Sequence, residues 1–415
     1  MEFFQDFFAY YENFLASPEF KNTVQILFLT SPLWIPFGLA VLLWQKWLEY
    51  KREEIYNKFD LVLLEIRLPQ EILRSPLAME LVLSGLHIMG GEGTWYDRYI
   101  LGKSRAWFSL EIASIEGHIH FYVWTGRGNK DLVESQFYSQ YPGIEMLEVP
   151  DYTDVYPKFD STVIQLEGQE FALTQLDSYP IKTYVDYGLD KDTKEEFKYD
   201  PLTTVLEFMG SLGKGEQFWL QFIFRSHHGK AYDPKNWKKD TEKLIDKLSK
   251  QYRGEIDEHG KEIKEARFRF PTKGESDILA SLHRSMEKLP YECGIRSIYI
   301  APKEVFKRFR ITMQRGLFKA FNSGTLNGFK SQNVTSKYDF PWEDFRGFRA
   351  NILKRKMLQA YRRRSFFFSP YKRKTYILNA EELATLYHFP GQVSQTPLLS
   401  RLPSRKAEAP PNLPL

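Results

Sequence analysis

An α+β architecture is predicted by three features of the sequence. The first is an apolar run near the N-terminus, the second is an alternation of strand and helix patterns that occurs twice, and the third is a change in charge along the chain. Together they predict a single N-terminal transmembrane helix, then tandem ferredoxin-like domains of order β-α-β-β-α-β, then a basic, largely helical C-terminal region.

The N-terminal part predicts a membrane anchor. Residues 24–44 form 21 positions without a charged side chain, and a helix of that length matches a hydrocarbon core of roughly 30 Å. The preceding arm, residues 1–23, has four acidic residues and one basic residue, whereas a signal peptide starts with a basic region. A charged stalk, residues 45–59, follows with Lys46, Lys51, Arg52 and Lys58. We therefore expect one span of the inner (cytoplasmic) membrane, with the N-terminus outside and the main body in the cytoplasm; the alternative is a buried core helix.

The first ferredoxin-like domain is predicted over residues 60–155. Residues 60–68 alternate apolar and polar side chains, as in a half-buried strand, and Ser75 and Pro76 mark the start of a helix. That helix is predicted to align one row of side chains, namely Leu77, Leu81, Gly85 and Ile88.

A hairpin and a second helix complete this domain. Glu116 and Gly117 form the predicted turn between two strands. One strand aligns Phe108, Leu110 and Ile112, and the other aligns Ile119, Phe121 and Val123. Asn129 is expected to cap a helix that runs to about Tyr141, and Gly143 precedes a strand over residues 144–148.

A second ferredoxin-like domain is predicted over residues 156–301. A shift of 125 residues superposes Pro76 on Pro201, Leu77 on Leu202, Leu81 on Leu206 and Gly85 on Gly210, which favours duplication. The predicted elements are a strand at 181–185, a helix at 202–212, a strand at 218–224, an inserted helix at 234–253, a strand at 266–270, a helix at 277–288 and a closing strand at 294–300.

The C-terminal region, residues 302–389, differs in charge from the rest. Residues 301–376 contain 19 Lys and Arg against 4 Asp and Glu, which leaves 38 against 49 elsewhere. Helices are predicted at 303–320 and 342–364, with a polar loop at 322–341 between them. The tail, residues 390–415, has 6 prolines in 26 residues and is expected to be extended.

The basic segment, residues 346–374, is the one candidate working surface. It has 11 basic and no acidic residues, mixed with aromatic rings, and Leu353, Met357 and Tyr361 form a row that would bury one side of a helix. Three interpretations stay open: contact with nucleic-acid phosphates, attraction to anionic lipid, and structural or intersubunit pairing with acidic side chains. The candidate binding residues are Arg346, Arg349, Lys354, Arg355, Lys356, Arg362, Arg363, Arg364, Lys372, Arg373 and Lys374.

No catalytic, cofactor or metal site is predicted. Gly102, Lys103 and Ser104 match the end of a phosphate-binding loop, but Asp97 stands where its first glycine belongs. The glycine-rich residues 210–215 precede Glu216 rather than a lysine and hydroxyl pair. His118 and His120 share a strand face without a third ligand, the pair His227 and His228 is expected in a solvated turn, and Cys293 is expected to be a structural thiol.

Several sequence blocks carry a family resemblance. LLEIRLPQEILRSPLAMELVLSGLHIMGGEGTWYDRY, WFSLEIASIEGHIHFYVWT, ESQFYSQYPGIEMLEVPDY, DPLTTVLEFMGSLGKGEQFWLQ and YILNAEELATLYHFPG, with the RKAEAPPNLP tail, resemble the membrane-proximal, non-catalytic portion of bacterial type IV secretion or conjugative-transfer ATPases of the HerA-like class. In those longer proteins a nucleotide-binding domain follows the tail, whereas this sequence ends at Leu415.

The resemblance implies a non-enzymatic membrane protein that binds no cofactor and docks a separately encoded ATPase of a secretion or DNA-transfer apparatus. Assembly as a homo-oligomer is also expected. The alternative is a membrane-anchored module that binds nucleic acid through the basic segment.

Overall fold

The computed structural model describes residues 17–69, 74–191, 199–228, 236–253, 272–338, 340 and 342–391. The chain divides into two compact units. The first unit contains the N-terminal residues through Lys58 together with Glu92–Ser104, and the second contains Phe59–Gly91 and the chain from Arg105 onward.

The first unit is built on one long helix, α1, Pro18–Lys58. The helix includes the predicted span and the predicted stalk as far as Lys58, with Pro32 and Pro36 inside it, and it is long and apolar enough to cross a membrane. None of its side chains is buried, so it is not the core helix of a folded domain. Ion pairs at helical spacing link Lys46 to Glu49 and place Glu54 between Lys51 and Lys58. The first unit also contains the short helix α3, Trp95–Tyr99.

The second unit contains one antiparallel sheet in which nine strands are described. The strands follow the order β4-β1-β3-β2-β6-β7-β5-β8, and β9 pairs with a separate part of β7. Their bounds are β1 Leu61–Arg67, β2 Trp107–Ile115, β3 His118–Gly126, β4 Glu145–Glu148, β5 Ile164–Leu173, β6 Gln217–Ser226, β7 Pro290–Pro302, β8 Phe329–Gln332 and β9 Tyr376–Asn379.

Eight α-helices are described in the second unit. They are α2 Leu77–Gly85, α4 Lys130–Gln140, α5 Pro201–Gly210, α6 Trp237–Arg253, α7 Lys273–Glu287, α8 Phe309–Arg315, α9 Phe348–Arg362 and α10 Ala380–Leu386. Asp200 caps α5 by accepting from the Leu202 amide, and a capping box of Asn379 and Glu382 starts α10.

One face of the sheet forms the apolar core. The predicted hairpin is confirmed: Leu110 lies opposite Val123 and Ile112 opposite Phe121, with Glu116 and Gly117 in the turn at positive φ. Both predicted rows therefore lie on the same side of the sheet, where α2, α4, α5 and α10 supply the facing residues. Leu77 and Leu81 of the row predicted for α2 are exposed, and the helix buries Ala78, Met79, Val82 and Leu83 instead.

The opposite face of the sheet is polar and is also covered. It presents Ser109, Glu111, Gln221 and Arg296, all of which are buried, and α9 with the following loop lies over it. The first strand is buried on both faces over residues 62–66 rather than half-buried as predicted. Strands that are covered on both sides show less regular alternation than strands with a wet face.

The elements of the second half differ from the prediction. Residues 181–185 are not a strand, whereas β5, which was not predicted, pairs with both β7 and β8. The strand predicted at 294–300 is part of β7, which lies between β6 and β5 instead of closing a separate sheet. The predicted helices at 202–212, 234–253 and 277–288 correspond to α5, α6 and α7. The strand predicted at 266–270 lies outside the described residues.

The C-terminal region is less helical than expected. The helix predicted at 303–320 is limited to α8, the predicted loop at 322–341 contains β8, and the helix predicted at 342–364 begins only at Phe348. Two strands of this region, β8 and β9, join the common sheet. Most of the acidic arm and of the proline-rich tail lies outside the described residues.

Candidate functional site

The basic segment divides into two parts with opposite surroundings. We call residues 362–374 the inner part and residues 340–356, which begin six residues before the basic segment, the outer part. The inner part begins at the last residue of α9 and lies against the polar face of the sheet, while the outer part begins before α9 and includes its first two turns.

Arg364 is the centre of the inner part. Its side chain is 1% exposed, and its Nε and Nη2 donate to the two carboxylate oxygens of Glu111 at 2.9 and 3.0 Å. It also pairs with Asp151. Burial opposes ionisation of both partners, but their attraction outweighs it, so the pKa of Asp151 is lowered and the pKa of Arg364 is raised. The arginine is therefore an internal ion-pair partner.

A second buried ion pair joins the loop to the middle of the sheet. Arg296 on β7 donates to Glu170 on β5 at 3.0 Å, and Arg373 of the inner part donates to the same carboxylate at 3.1 Å. Arg296 also donates to the backbone oxygen of Ser365 at 3.2 Å. The inner part is thus fixed to two strands that are far apart in sequence.

Aromatic rings cover the rest of this polar face. The Phe366 ring lies so close to Gly294 that a Cβ atom there would stand 2.4 Å from it. The Arg225 guanidinium lies 4.4 Å from the centre of the Phe367 ring and donates to Glu292 at 2.7 Å. This packing agrees with the pairing interpretation of the segment.

The neighbourhood of Glu292 corrects one prediction. His227 is buried, not part of a solvated turn, and its Nδ1 lies 3.4 Å from Glu292. Arg105 donates to the same carboxylate at 3.0 Å. The hydrogen bond with His227 and the guanidinium charges of Arg225 and Arg105 overcome the cost of burial and lower the pKa of Glu292. No sequence signal connects residues separated by 65 and 187 positions.

Helix α9 has two distinct sides in the outer part and beyond. The predicted row is confirmed, since Met357 and Tyr361 are buried and Leu353 is half-buried. The opposite side exposes four side chains of the outer part: Phe348, Arg349, Arg355 and Lys356. Asp344 begins the helix by accepting from the amides of Arg349 and Ala350 at 2.8 Å.

Exposed aromatic rings extend this surface. Phe340, Trp342, Phe345 and Phe348 are between 52% and 79% exposed. Phe340 and Trp342 stack with centroids 4.7 Å apart and planes 6° apart, and Arg346 lies 5.2 Å from the Phe345 ring. The sequence prediction missed Phe340, Trp342 and Phe345. Their signal was a run of aromatic residues outside any apolar periodicity, next to arginines.

The remaining candidate residues have mixed environments. Arg362 donates to Asp154 and to the backbone oxygen of Pro157, whereas Lys372 and Lys374 are exposed. Arg363 is half-exposed. Lys354 is partly covered and donates to Gln165 at 3.2 Å, and burial lowers its pKa. The eleven basic residues thus do not form one continuous surface.

The glycine-containing motifs are occupied by the protein's own side chains. Lys103 pairs with Asp97 at 3.0 Å. In the loop at 210–215, the Gly213 amide donates to Glu216 and the Gly215 amide donates to Glu116. Tyr299 also donates to Glu216. The bonds that Glu216 accepts from Tyr299 and Gly213 help to outweigh the effect of burial, and the pKa of Glu216 is lowered to about 2. Carboxylates therefore hold the amides that a phosphate would need.

The histidines and the cysteine also have structural surroundings. His120 contacts Glu65 at 2.8 Å, while His118 is exposed. Cys293 is buried, and burial raises the pKa of its thiol. Across the described ranges, no three His, Cys, Asp or Glu side chains are grouped so as to hold a metal ion.

The fold and this surface define an α+β protein with a helix suited to a membrane, a single antiparallel sheet and an exposed basic and aromatic surface. Residues 59–401 match the family described as a domain of unknown function, DUF8128, and the chain belongs to that family. No match to a curated protein sequence was found.

Proposed function

We propose that this protein is a non-enzymatic, membrane-anchored docking component of a type IV secretion or DNA-transfer-like apparatus, and that its outer part binds a separately encoded ATPase. The observation that carries the docking role is the set of exposed rings of the outer part beside Arg346, Arg349 and Arg355. Tryptophan, tyrosine and arginine dominate the binding energy of protein interfaces, and several exposed aromatic side chains within one short segment favour a partner-binding role. The sequence resemblance supplies the kind of apparatus.

The strand order supports two ferredoxin-like halves. In the first half the order is β4-β1-β3-β2, and the chain runs β1-α2-β2-β3-α4-β4. In the second half the order β6-β7-β5-β8 is the same arrangement in reverse, with α5 after β5 and α8 before β8. We infer a duplication in which the halves join through the antiparallel pair of β2 and β6.

The proposed location is the inner membrane, with α1 as a single span, the N-terminus outside and the body in the cytoplasm. The support is the apolar length of α1 and the basic residues that follow it. Protease added to intact cells should then remove at most the N-terminal arm. Digestion of the chain beyond Lys58 from outside would contradict this orientation.

The docking role is tested by purifying the full chain from native membranes in mild detergent. We expect ATP hydrolysis to co-purify with it, and a Trp342→Ala, Phe345→Ala double variant to lose that activity while still reaching the membrane. Leu176→Ala is the matched control, because it removes another exposed apolar side chain outside the outer part. An eluate without ATPase activity, or a double variant that retains it, would refute the docking proposal.

A nucleic-acid-binding function is the second candidate. The stacked pair of Phe340 and Trp342 beside exposed arginines is an arrangement on which unpaired bases stack. If this candidate is correct, the full chain in detergent binds single-stranded DNA with an affinity that falls steeply with salt, and Trp342→Ala weakens it. Binding that does not depend on Trp342 would remove this candidate.

A further inference from the structure

The first unit contains a second segment beside α1. Glu92–Ser104 is separated from the helix in sequence but belongs to the same compact unit. Three of its aromatic residues lie in α3, namely Trp95, Tyr96 and Tyr99. Trp95 and Tyr96 are 63% and 54% exposed, so packing within the unit does not explain why these two positions are aromatic.

Two contacts fix where this segment lies along α1. The Tyr99 ring stacks on Trp44, with centroids 6.2 Å apart. Gly102, at φ +69°, lies against Lys51, where a Cβ atom would stand 3.0 Å from the Lys51 Cβ. Trp44 and Lys51 are seven residues apart, or about 10 Å along a helix. The aromatic end of the segment therefore lies level with Trp44, and its Gly102 end lies level with Lys51.

Trp44 is the last residue of the predicted span, and charged residues begin at Lys46. The Tyr99 ring, with the Trp95 ring 5.8 Å from it, is therefore near the transition from apolar to charged side chains on α1. Trp47 and Tyr50 continue the aromatic group on the helix, with the Lys51 ammonium 5.1 Å from the Trp47 ring. Tryptophan and tyrosine concentrate at the headgroup level of bilayers because their rings are amphipathic.

We propose that Glu92–Ser104 is a second membrane contact, in which Trp95 and Tyr96 enter the headgroup region beside α1. The occupant of this surface is the lipid interface itself, because the exposed rings lie beside the end of the apolar run of α1, where a spanning helix would meet the lipid headgroups. The aromatic rings enter the interface, while the charge of Lys103 is paired with Asp97 of the same segment. The inference rests on the membrane anchoring proposed above.

The test uses the full chain in vesicles and one fluorescent label per variant. Cys293 is the only cysteine and is buried, so an environment-sensitive thiol dye reports on an introduced cysteine. Three variants are compared: Leu39→Cys within the apolar run, Tyr96→Cys in α3 and Asn57→Cys near the end of α1, where the side chain is exposed. The vesicles contain lipids with a nitroxide quencher near the headgroup or deep in the acyl chains.

The deep quencher should reduce the emission of the Leu39→Cys label, the headgroup quencher should reduce that of the Tyr96→Cys label, and neither should affect the Asn57→Cys label. If the Leu39→Cys label is not quenched, the membrane span itself is wrong. If that label is quenched and the Tyr96→Cys label behaves like the Asn57→Cys label, the span stands and the second contact is refuted.

Discussion

The inner and outer parts have similar compositions, but the arginines and rings at the centre of each have opposite environments. In the inner part, Arg364 and Arg373 meet carboxylates of the sheet, and Phe366 and Phe367 are buried. In the outer part, Arg355 and Lys356 are exposed beside rings that are mostly in solvent. The difference arises because Glu111 and Glu170 of the sheet, and Asp151 in the loop after β4, lie beside the inner part and pair with its arginines. A basic and aromatic composition therefore does not by itself indicate a binding surface.

The largest effect that separates the two parts is expected from Arg364→Met. This change leaves Glu111 and Asp151 without their shared cation in a buried site, so the free energy of unfolding should fall by about 3–5 kcal/mol. Chemical denaturation of the full chain in detergent measures it. Arg355→Met is the exposed control and should change the value by less than about 0.5 kcal/mol. Equal effects of the two changes would contradict the distinction between a buried, stabilising inner part and an exposed outer part.

The inner part should also have a specific pH dependence. The pKa of Asp151 is lowered in the folded chain, so its carboxylate stabilises the fold at neutral pH, and this stabilisation is lost as the pH falls through the folded pKa. Asp151→Asn should cost about 1–3 kcal/mol at pH 7 and progressively less in acid.

Asp154→Asn is the control for this pH dependence, because the Asp154 side chain is 65% exposed and pairs with Arg362 at the surface. Its cost should be below about 1 kcal/mol. A cost of Asp151→Asn that stayed constant between neutral and acidic pH would contradict the assignment.

The aromatic contact of the inner part is tested with Gly294→Ala. The added methyl group would meet the Phe366 ring, so we expect a loss of about 1–2 kcal/mol in the free energy of unfolding. Adding Phe366→Leu should recover part of that loss, as a double-mutant cycle would show. Gly126→Ala, where no atom lies within 4 Å of the new Cβ, should have little effect.

The smallest effect on stability is expected in the outer part. Changing Arg346, Arg355 and Lys356 together to Gln should alter the free energy of unfolding by less than about 1 kcal/mol, because exposed charges contribute little to it. Recovery of the proposed ATPase partner should nevertheless fall in the same preparation. A strongly destabilised triple variant would show that these side chains stabilise the fold, as those of the inner part are expected to do.

Local patterns made the first half of the sheet predictable from sequence. Glu116 and Gly117 supply a tight turn, and the flanking strands alternate clearly, so the hairpin follows from neighbouring residues alone. Strand β5 was missed because its polar side chains are buried and form hydrogen bonds with residues far away in sequence. Gln169, for example, donates to Gln314, and Glu167 accepts from Ser336. No local rule distinguishes such a strand from a polar loop.

The false strand at 181–185 has the opposite cause. Ile181, Thr183 and Val185 alternate as a strand would, yet the amides of Ile181 and Tyr184 donate to side chains of Glu382 and Thr385 on α10. For the candidate site, the sequence predicted the segment and the buried row of α9. It could not separate Arg364 from Arg363, because their difference depends on carboxylates more than 200 positions away.

The position of Phe389 has a consequence for how the protein is made. The centre of its ring lies 5.4 Å from that of Phe121 and 4.8 Å from that of Tyr141. The residues that complete this part of the core are therefore translated long after the residues that they pack against. At ribosomal speeds the interval is on the order of tens of seconds. Throughout this interval the growing chain contains the complete apolar helix α1, but its core lacks the C-terminal residues that close it. We therefore expect nascent chains to depend on chaperones until α10 is synthesised, well after α1 has left the ribosome.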